Sequence, residues 1–373
     1  MTERAHPACH RLIRLAPLLL LAAAGSLLHA QTTQQQQQAD VTSLETDYSN
    51  FNLISFGTTS LTSYGDTQGG LAVDGSLTLD AGSIATQPGT FGLNSNPTLY
   101  LTGSSLTLNG TVMLNSGYAS LRNLNSNNWT WDGSQDTLSG GGGALNSTNA
   151  TGSSSYASQN PINNPAPSGW NWSTETSSLS TISTSLKNAS ATGTIAVNSN
   201  NLVFTAPNGQ TSGVVVFSLN AANITNGNTY NGQGFSNIQI NVPTGLTYVI
   251  NVINAGGRTL FANGVNFNSG SNDNQLLWNF EGSGTVTLDN GGYFYGAILA
   301  PSASISATTV IDGQVAADGF SDCGYELHDT EFTPAAVATP EPSTYALCAV
   351  GLCAFAIAAR RFLRLLVRRT VLA

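Results

Sequence analysis

A mainly β fold, a β-solenoid body carrying one long docked α-helix, is what three features of this sequence predict. Short runs of alternating apolar and polar residues are each closed by Gly, Asn or Asp, as in Ser76-Leu77-Thr78-Leu79-Asp80 and Ser105-Leu106-Thr107-Leu108-Asn109-Gly110. Alternation puts Leu77 and Leu79, or Leu106 and Leu108, on one side of a strand and Ser and Thr on the other. The same idiom returns late, in Gly284-Thr285-Val286-Thr287-Leu288-Asp289, Ala297-Ile298-Leu299-Ala300 and Val310-Ile311-Asp312-Gly313. Short rungs separated by turns, with small residues inside, are the pattern of a solenoid. Only one stretch has helical periodicity. A β-sandwich of many short strands is the alternative, because the rungs keep no strict period.

Taken in order, the chain opens with Arg4, Arg11 and Arg14, an apolar run from Leu15 to Leu28, and Ala30 before Gln31. This is the layout of a secretory signal peptide over residues 1–30, cleaved between Ala30 and Gln31. The apolar run is shorter than the ~20 residues of a spanning helix. Residues 31–47, with Gln34 to Gln38, read as a polar, disordered leader. The folded body covers residues 48–333, its first strand drawing on Phe51 and Leu53 and ending at Gly57. Closing Asp-Gly and Asn-Gly pairs are expected to supply positive φ angles at tight turns. From about 132 to 171, Gly140 to Gly143, many Ser and Asn, and three prolines with few aliphatics read as a flexible insertion. A helix follows at about 173–189. Leu179, Ile182, Leu186 and Ala189 share one of its faces, Ser173 caps it, and Glu175 and Lys187 complement its dipole. Its Ser and Thr content gives poor intrinsic propensity, so it must dock. Further strands are expected at Gly193–Val197, Leu202–Thr205, Val214–Leu219, Ile238–Val242 and Tyr248–Ile253.

Charge is concentrated at the ends. Of 11 Lys and Arg, three precede residue 31 and five follow residue 359, leaving Arg122, Lys187 and Arg258 against 18 acidic residues, a body of charge −15. Such a surface repels phosphate backbones, which excludes nucleic acid as a partner. Cys9 lies in the signal and Cys348 and Cys353 in the tail, so Cys323 alone remains in the body and no internal disulfide framework exists.

The tail, residues 334–373, has three consecutive parts: Pro340-Glu341-Pro342-Ser343-Thr344, an apolar segment at 345–359, and a basic stop beginning with Arg360 and Arg361. Arginines after the apolar run favour the cytoplasmic side and leave the body outside. These parts resemble the PEP-CTERM sorting signal of exported bacterial proteins. The resemblance implies transient processing by an exosortase-like enzyme, membrane attachment through the C-terminal segment before processing, and delivery to the bacterial surface or extracellular matrix, often alongside exopolysaccharide. In the body, Phe51-Asn52 with Gly69–Leu77, the Leu179–Leu186 helix, Val242-Pro243 before Tyr248–Val252, and Leu277-Trp278-Asn279-Phe280 through Gly296–Ala303 to Gly313-Gln314-Val315 resemble the choice-of-anchor A family of surface adhesin domains. That resemblance implies an adhesin or matrix structural component. The late segment is also similar to the ice-binding-like solenoid domain with its long docked helix, which supports the architecture without transferring ice binding.

The residues that could carry chemistry are few. Cys323 and His328, flanked by Asp322, Glu326 and Asp329, could form a Cys-His pair, but a hydrogen-bonded His closing the domain is the favoured reading. Asp66, Asp74, Asp312 and Asp318 could offer oxygens to Ca²⁺, yet they lack the dense spacing of a calcium loop and read as turn residues, so no cofactor is expected. Trp129, Trp131, Trp170 and Trp172 flank the insertion and are candidate glycan contacts, against the alternative that they staple the loop to the body. Thr78, Thr107, Thr285 and Thr287 are too scattered in sequence to establish a regular array. The expectation is a non-enzymatic surface or matrix protein with extracellular polysaccharide as partner. A secreted glycan hydrolase, which would need facing carboxylates, and an ice-binding surface protein are the alternatives.

Overall fold

The computed structural model describes residues 33–62, 65–87, 97–147, 156, 158–262, 264–270 and 272–336. The Ala30-Gln31 junction and the tail with Pro340, Glu341, Pro342, Ser343, Thr344, Arg360 and Arg361 lie outside them. Among the described residues no helix is long and apolar enough to cross a membrane.

The body is a β-solenoid. Its coils stack in parallel, Leu53–Ser55 on Leu71–Val73 and Leu77–Ile84 on Leu106–Leu114, whereas a β-sandwich would require antiparallel sheets. Long strands turn corners and serve two faces: Leu77–Ile84 breaks register between Asp80 and Gly82, and Ala297–Ala307 between Ala300 and Ser304. The expected strands of the second half are present, at Thr194–Asn198, Asn201–Thr205, Gly213–Asn220, Asn237–Ile240 and Leu246–Ile253.

Coil order differs from chain order. The first coil lies between the second and the last, since Leu53 pairs with both Leu71 and Val315. The chain therefore starts mid-stack, builds outward through Leu71–Val73, Leu99–Leu101 and Ala119–Leu121, and refills the other side from Gly213–Asn220 through Leu246–Ile253, Leu276–Phe280 and Ala297–Ala307 to Val315–Cys323. Two helices, α1 (residues 33–48) and α2 (Trp172–Asn188), lie over one face of this stack. With 17 residues, α2 is about 25 Å long, roughly the height of five stacked strands. It is the return path between the two halves.

The α2 stripe of Leu179, Ile182 and Leu186 is buried as expected, with Glu175 in the first turn and Lys187 in the last. The cap differs: Asn171, one step before the helix, accepts the Thr174 N–H at 3.1 Å, so Ser173 lies inside the first turn.

Residues 33–47 are helical, contrary to the reading of a disordered leader. Val41, Leu44 and Tyr48 recur at i, i+3 and i+7 and are fully buried; the stripe begins only beyond the glutamines, which hid it. The tract itself is put to use. The Gln34 amide bonds both backbone groups of Val214, at 3.0 and 3.3 Å, covering the open edge of the end strand. Gln38 donates to the Ala335 carbonyl at 3.0 Å.

Among its described residues, the segment read as a flexible insertion is built into the sheet. Trp129–Asp132, Thr137–Gly140 and Gly143–Asn146 form an antiparallel ribbon whose last strand joins Leu106–Leu114, and Leu138 and Leu145 are buried. Buried Asn164 donates to the Ala119 carbonyl at 2.8 Å while the Pro161 carbonyl accepts the Leu121 N–H, closing the edge of the other end strand. Hydrogen bonds between backbones, absent from any side-chain pattern, order this Gly- and Asn-rich text. Of the closing Asn-Gly and Asp-Gly pairs, Gly110 and Gly291 have the expected positive φ and Gly75 does not. Gly75 and Gly103 have ordinary φ; they are glycines because stacked turns touch, a Cβ on Gly103 falling 1.7 Å from the Gly75 carbonyl oxygen.

Two cores result. The interior is centred on Trp278, fully buried among Phe204, Phe261, Phe267, Phe280 and Phe294, its indole N–H donating to the Tyr295 carbonyl. The second lies between the helices and the outward residues beneath them, including Ile54, Ala72, Val249, Leu277, Leu299 and Ala316. A polar lock joins helix to sheet there. Ser183 donates to Asn279 Oδ1 at 2.7 Å, Asn279 donates to Asn251 Oδ1 at 2.8 Å and to the Ser183 carbonyl at 3.0 Å, and Asn251 donates to the Leu186 carbonyl at 2.7 Å.

Candidate functional site

The uncovered face built from Arg258–Leu260, Gly284–Leu288, Thr59–Thr62 and the adjoining halves of the long strands carries a regular array of hydroxyls. Its inward positions are buried and mostly apolar, such as Val286, Ile305, Phe320, Leu77 and Leu106, with Thr59 and Asp322 among them. Its outward positions fall in register from strand to strand: Thr259 beside Thr287, then Ser306, Ser321, Ser60, Thr78 and Thr107. Seven hydroxyls, one per strand, thus run about 29 Å at the ~4.8 Å spacing of paired strands. Two residues upstream, Thr285, Ser304 and Gly319 begin a second row. Thr58, Ser76 and Ser105 continue it, their carbonyls accepting the N–H groups of Phe320, Thr59 and Leu77.

The array corrects the view of Thr78, Thr107, Thr285 and Thr287 as scattered: the coil order brings all four onto one face. Among the described residues, none of these hydroxyls has a hydrogen-bond partner within the protein. Several Ser and Thr elsewhere are engaged: Thr98 donates to the Ser116 carbonyl, Ser120 to that of Asn164 and Thr309 to that of Gly292. The face is therefore regular and half-exposed, with its donors and acceptors unspent.

The four tryptophans separate into two pairs, each partly buried against a different core. Trp170 and Trp172 hold the start of α2 to the covered face, Trp170 edge-on to Phe51 at 5.1 Å and Trp172 stacked on Tyr100 at 5.9 Å. Trp129 and Trp131 sit on the end ribbon. There Gly141 crosses Leu106–Leu108 so closely that a Cβ would lie 2.8 Å from the Leu106 carbonyl oxygen and 2.9 Å from the Trp129 ring. Trp129 consequently packs over Gly140 and Gly141 at this end of the stack, against the interior core.

His328 is placed by carboxylates, with Nε2 3.1 Å from Glu326 and Nδ1 3.9 Å from Asp312; its backbone carbonyl accepts from buried Asn52 at 2.9 Å. The turn aspartates bind across coils: Asp66 accepts the Thr86 hydroxyl, Asp74 that of Thr102 and Asp312 that of Thr330. Among the described residues no three His, Cys, Asp or Glu side chains converge as metal ligands.

A family described as "Putative Ice-binding-like adhesive domain" matches residues 45–329. Among solved structures, a glycosylated ice-binding protein (LeIBP) from an Arctic yeast aligns at 13% identity over 79% of this chain and 96% of its own, with a TM-score of 0.32. The DUF3494 domain of a Shewanella frigidimarina ice-binding protein aligns at 10% identity over 78% and 96%, also at 0.32. No curated protein matches the chain.

Proposed function

This chain belongs to the ice-binding-like adhesive domain family, and from that premise we propose that it is an exported, non-enzymatic adhesin or matrix component of a bacterial surface. Its hydroxyl face grips an extended polyhydroxylated polymer, an extracellular polysaccharide. The observation that carries this reading is the in-register row from Thr259 to Thr107. Unspent hydroxyls on a rigid sheet exchange hydrogen bonds with a polyol at little ordering cost. The signal peptide delivers the body outside, and the Pro340-Glu341-Pro342 tail hands it to an exosortase-type enzyme. The mature protein from its native host should accordingly begin at Gln31 and end near Pro340 by intact mass; a full-length tail kept in the inner membrane contradicts this route.

The same array favours one second reading, ice binding, because a regular lattice of hydroxyls can also order water. One pair of assays separates the two. Wild type should co-sediment with purified extracellular polysaccharide of its host and leave ice recrystallisation unchanged, and Thr78→Val with Thr107→Val should weaken sedimentation about tenfold, the loss of one to two kcal/mol of hydrogen bonding. Inhibition of recrystallisation by wild type, abolished in that variant, decides for ice.

A further inference from the structure

The third face of the solenoid carries a feature the hydroxyl array does not explain. Tyr293–Tyr295, Val310–Asp312 and Leu327–His328 are adjacent parallel strands, with Tyr293 beside Val310 and Tyr295 beside Asp312 beside His328. Phe294, Ile311 and Leu327 point inward and are buried, so Tyr293, Tyr295, Asp312 and His328 project outward with Glu326. Tyr293 is 46% exposed, one of two large apolar side chains so open among the described residues. Its ring lies 5.7 Å from that of Tyr295 with planes 17° apart, and 5.8 Å from the His328 imidazole. A continuous aromatic strip results, held from below by Phe267, 5.5 Å from Tyr295, and at its His328 end by Glu326 and Asp312.

We propose that this strip is a second binding site, for an uncharged hexopyranose unit of a polysaccharide, separate from the hydroxyl face. A pyranose has an apolar C–H face that packs on an aromatic ring and a rim of hydroxyls that donate to carboxylates. Tyrosines fixed by packing give such contact at low entropic cost. The charges select the sugar: Asp312 and Glu326 accept from neutral hydroxyls and repel uronates, sulfates and phosphates. Burial first, then Asp312, Tyr293 and Asp273, raise the Tyr295 phenol above its ordinary value, so it stays a neutral donor.

The test is affinity electrophoresis of the full chain in mild detergent, in native gels holding hydroxyethyl cellulose, galactomannan or, as the anionic counterpart, alginate. At least one neutral polymer should retard the protein and alginate should not. Tyr293→Ala should weaken retardation about tenfold, Glu326→Ala should weaken it less, and Tyr293→Phe should keep it. Retardation lost in the Thr78→Val, Thr107→Val variant but intact in Tyr293→Ala overturns the strip and leaves the hydroxyl face standing. Loss only in Tyr293→Ala supports the strip and turns that polymer away from the hydroxyl face. No retardation by either neutral polymer, or stronger retardation by alginate, also overturns the proposal.

Discussion

The helix-covered face and the hydroxyl face are made from the same coils, and in Ala297–Ala307 and Val315–Cys323 from the same strands, yet one is a second core and the other is open. The difference lies only in the outward positions. Ile54, Ala72, Leu277, Leu299 and Ala316 on one face demand a cover, which α1 and α2 supply. Ser60, Thr78, Thr107, Ser306 and Ser321 on the other need none. The interior rows are mostly apolar on both faces, so they settle that a coil forms but not what its outer side does. Polar groups follow the same division. Asn251 and Asn279 are buried and tied to α2, whereas the hydroxyls across the corner have no partner among the described residues.

The strongest way to break this contrast is to unlock the covered face. Asn279→Ala removes a buried amide and leaves Asn251 Oδ1 without its donor and the Ser183 hydroxyl without its acceptor. Each orphan costs about 1–3 kcal/mol, so the variant should lose about 2–3 kcal/mol in urea unfolding. A loss below about 0.5 kcal/mol would mean that α2 is held by its apolar stripe alone.

A smaller effect comes from pH. Burial, then the charge of Asp47, raises Glu175 to about 7, and burial, then Glu331, raises Asp329 to about 8. Both acids hold their protons in the folded state at pH values where the unfolded chain has released them. The folded state therefore binds more protons, and stability falls as pH rises from about 4 through 7 to 8. Solvent reaches both side chains and screens them, so the loss between pH 5 and pH 9 is about 1–2 kcal/mol. Glu175→Gln with Asp329→Asn should flatten the melting temperature across that range; an unchanged slope would assign it to other groups.

How much of this was legible follows from what each feature depends on. The alternating rungs, the α2 stripe and the parallel stack are local patterns, and they are written in the text. The order of the coils is not, because Ser60 meets Ser321 from the opposite end of the chain and no local pattern encodes that pairing. Without it Thr78 and Thr287 look unrelated, although the recurring motif Thr285-Val286-Thr287, Ser304-Ile305-Ser306, Ser76-Leu77-Thr78 and Ser105-Leu106-Thr107 was the available signal. The same limit hid α1, whose glutamines bond to Val214 and Ala335, far along the sequence. Trp129, Trp131, Trp170 and Trp172 were found by residue type, but which core each packs against depends on the coils beneath.

The smallest expected effect is also the sharpest for the contrast. Thr78→Val with Thr107→Val keeps the β-branched shape that suits a strand and deletes two hydroxyls that have no partner among the described residues. Neither substitution opens a cavity or orphans a buried group, so unfolding stability should stay within about 0.5 kcal/mol of wild type. Calorimetric melting beside the Asn279→Ala variant measures the separation directly. If the hydroxyl pair proved as costly as the buried amide, the open face would be contributing to the fold. If it is silent in stability while binding falls, the outward residues of that face are free of structural duty, and their regular spacing must answer to what lies outside the molecule.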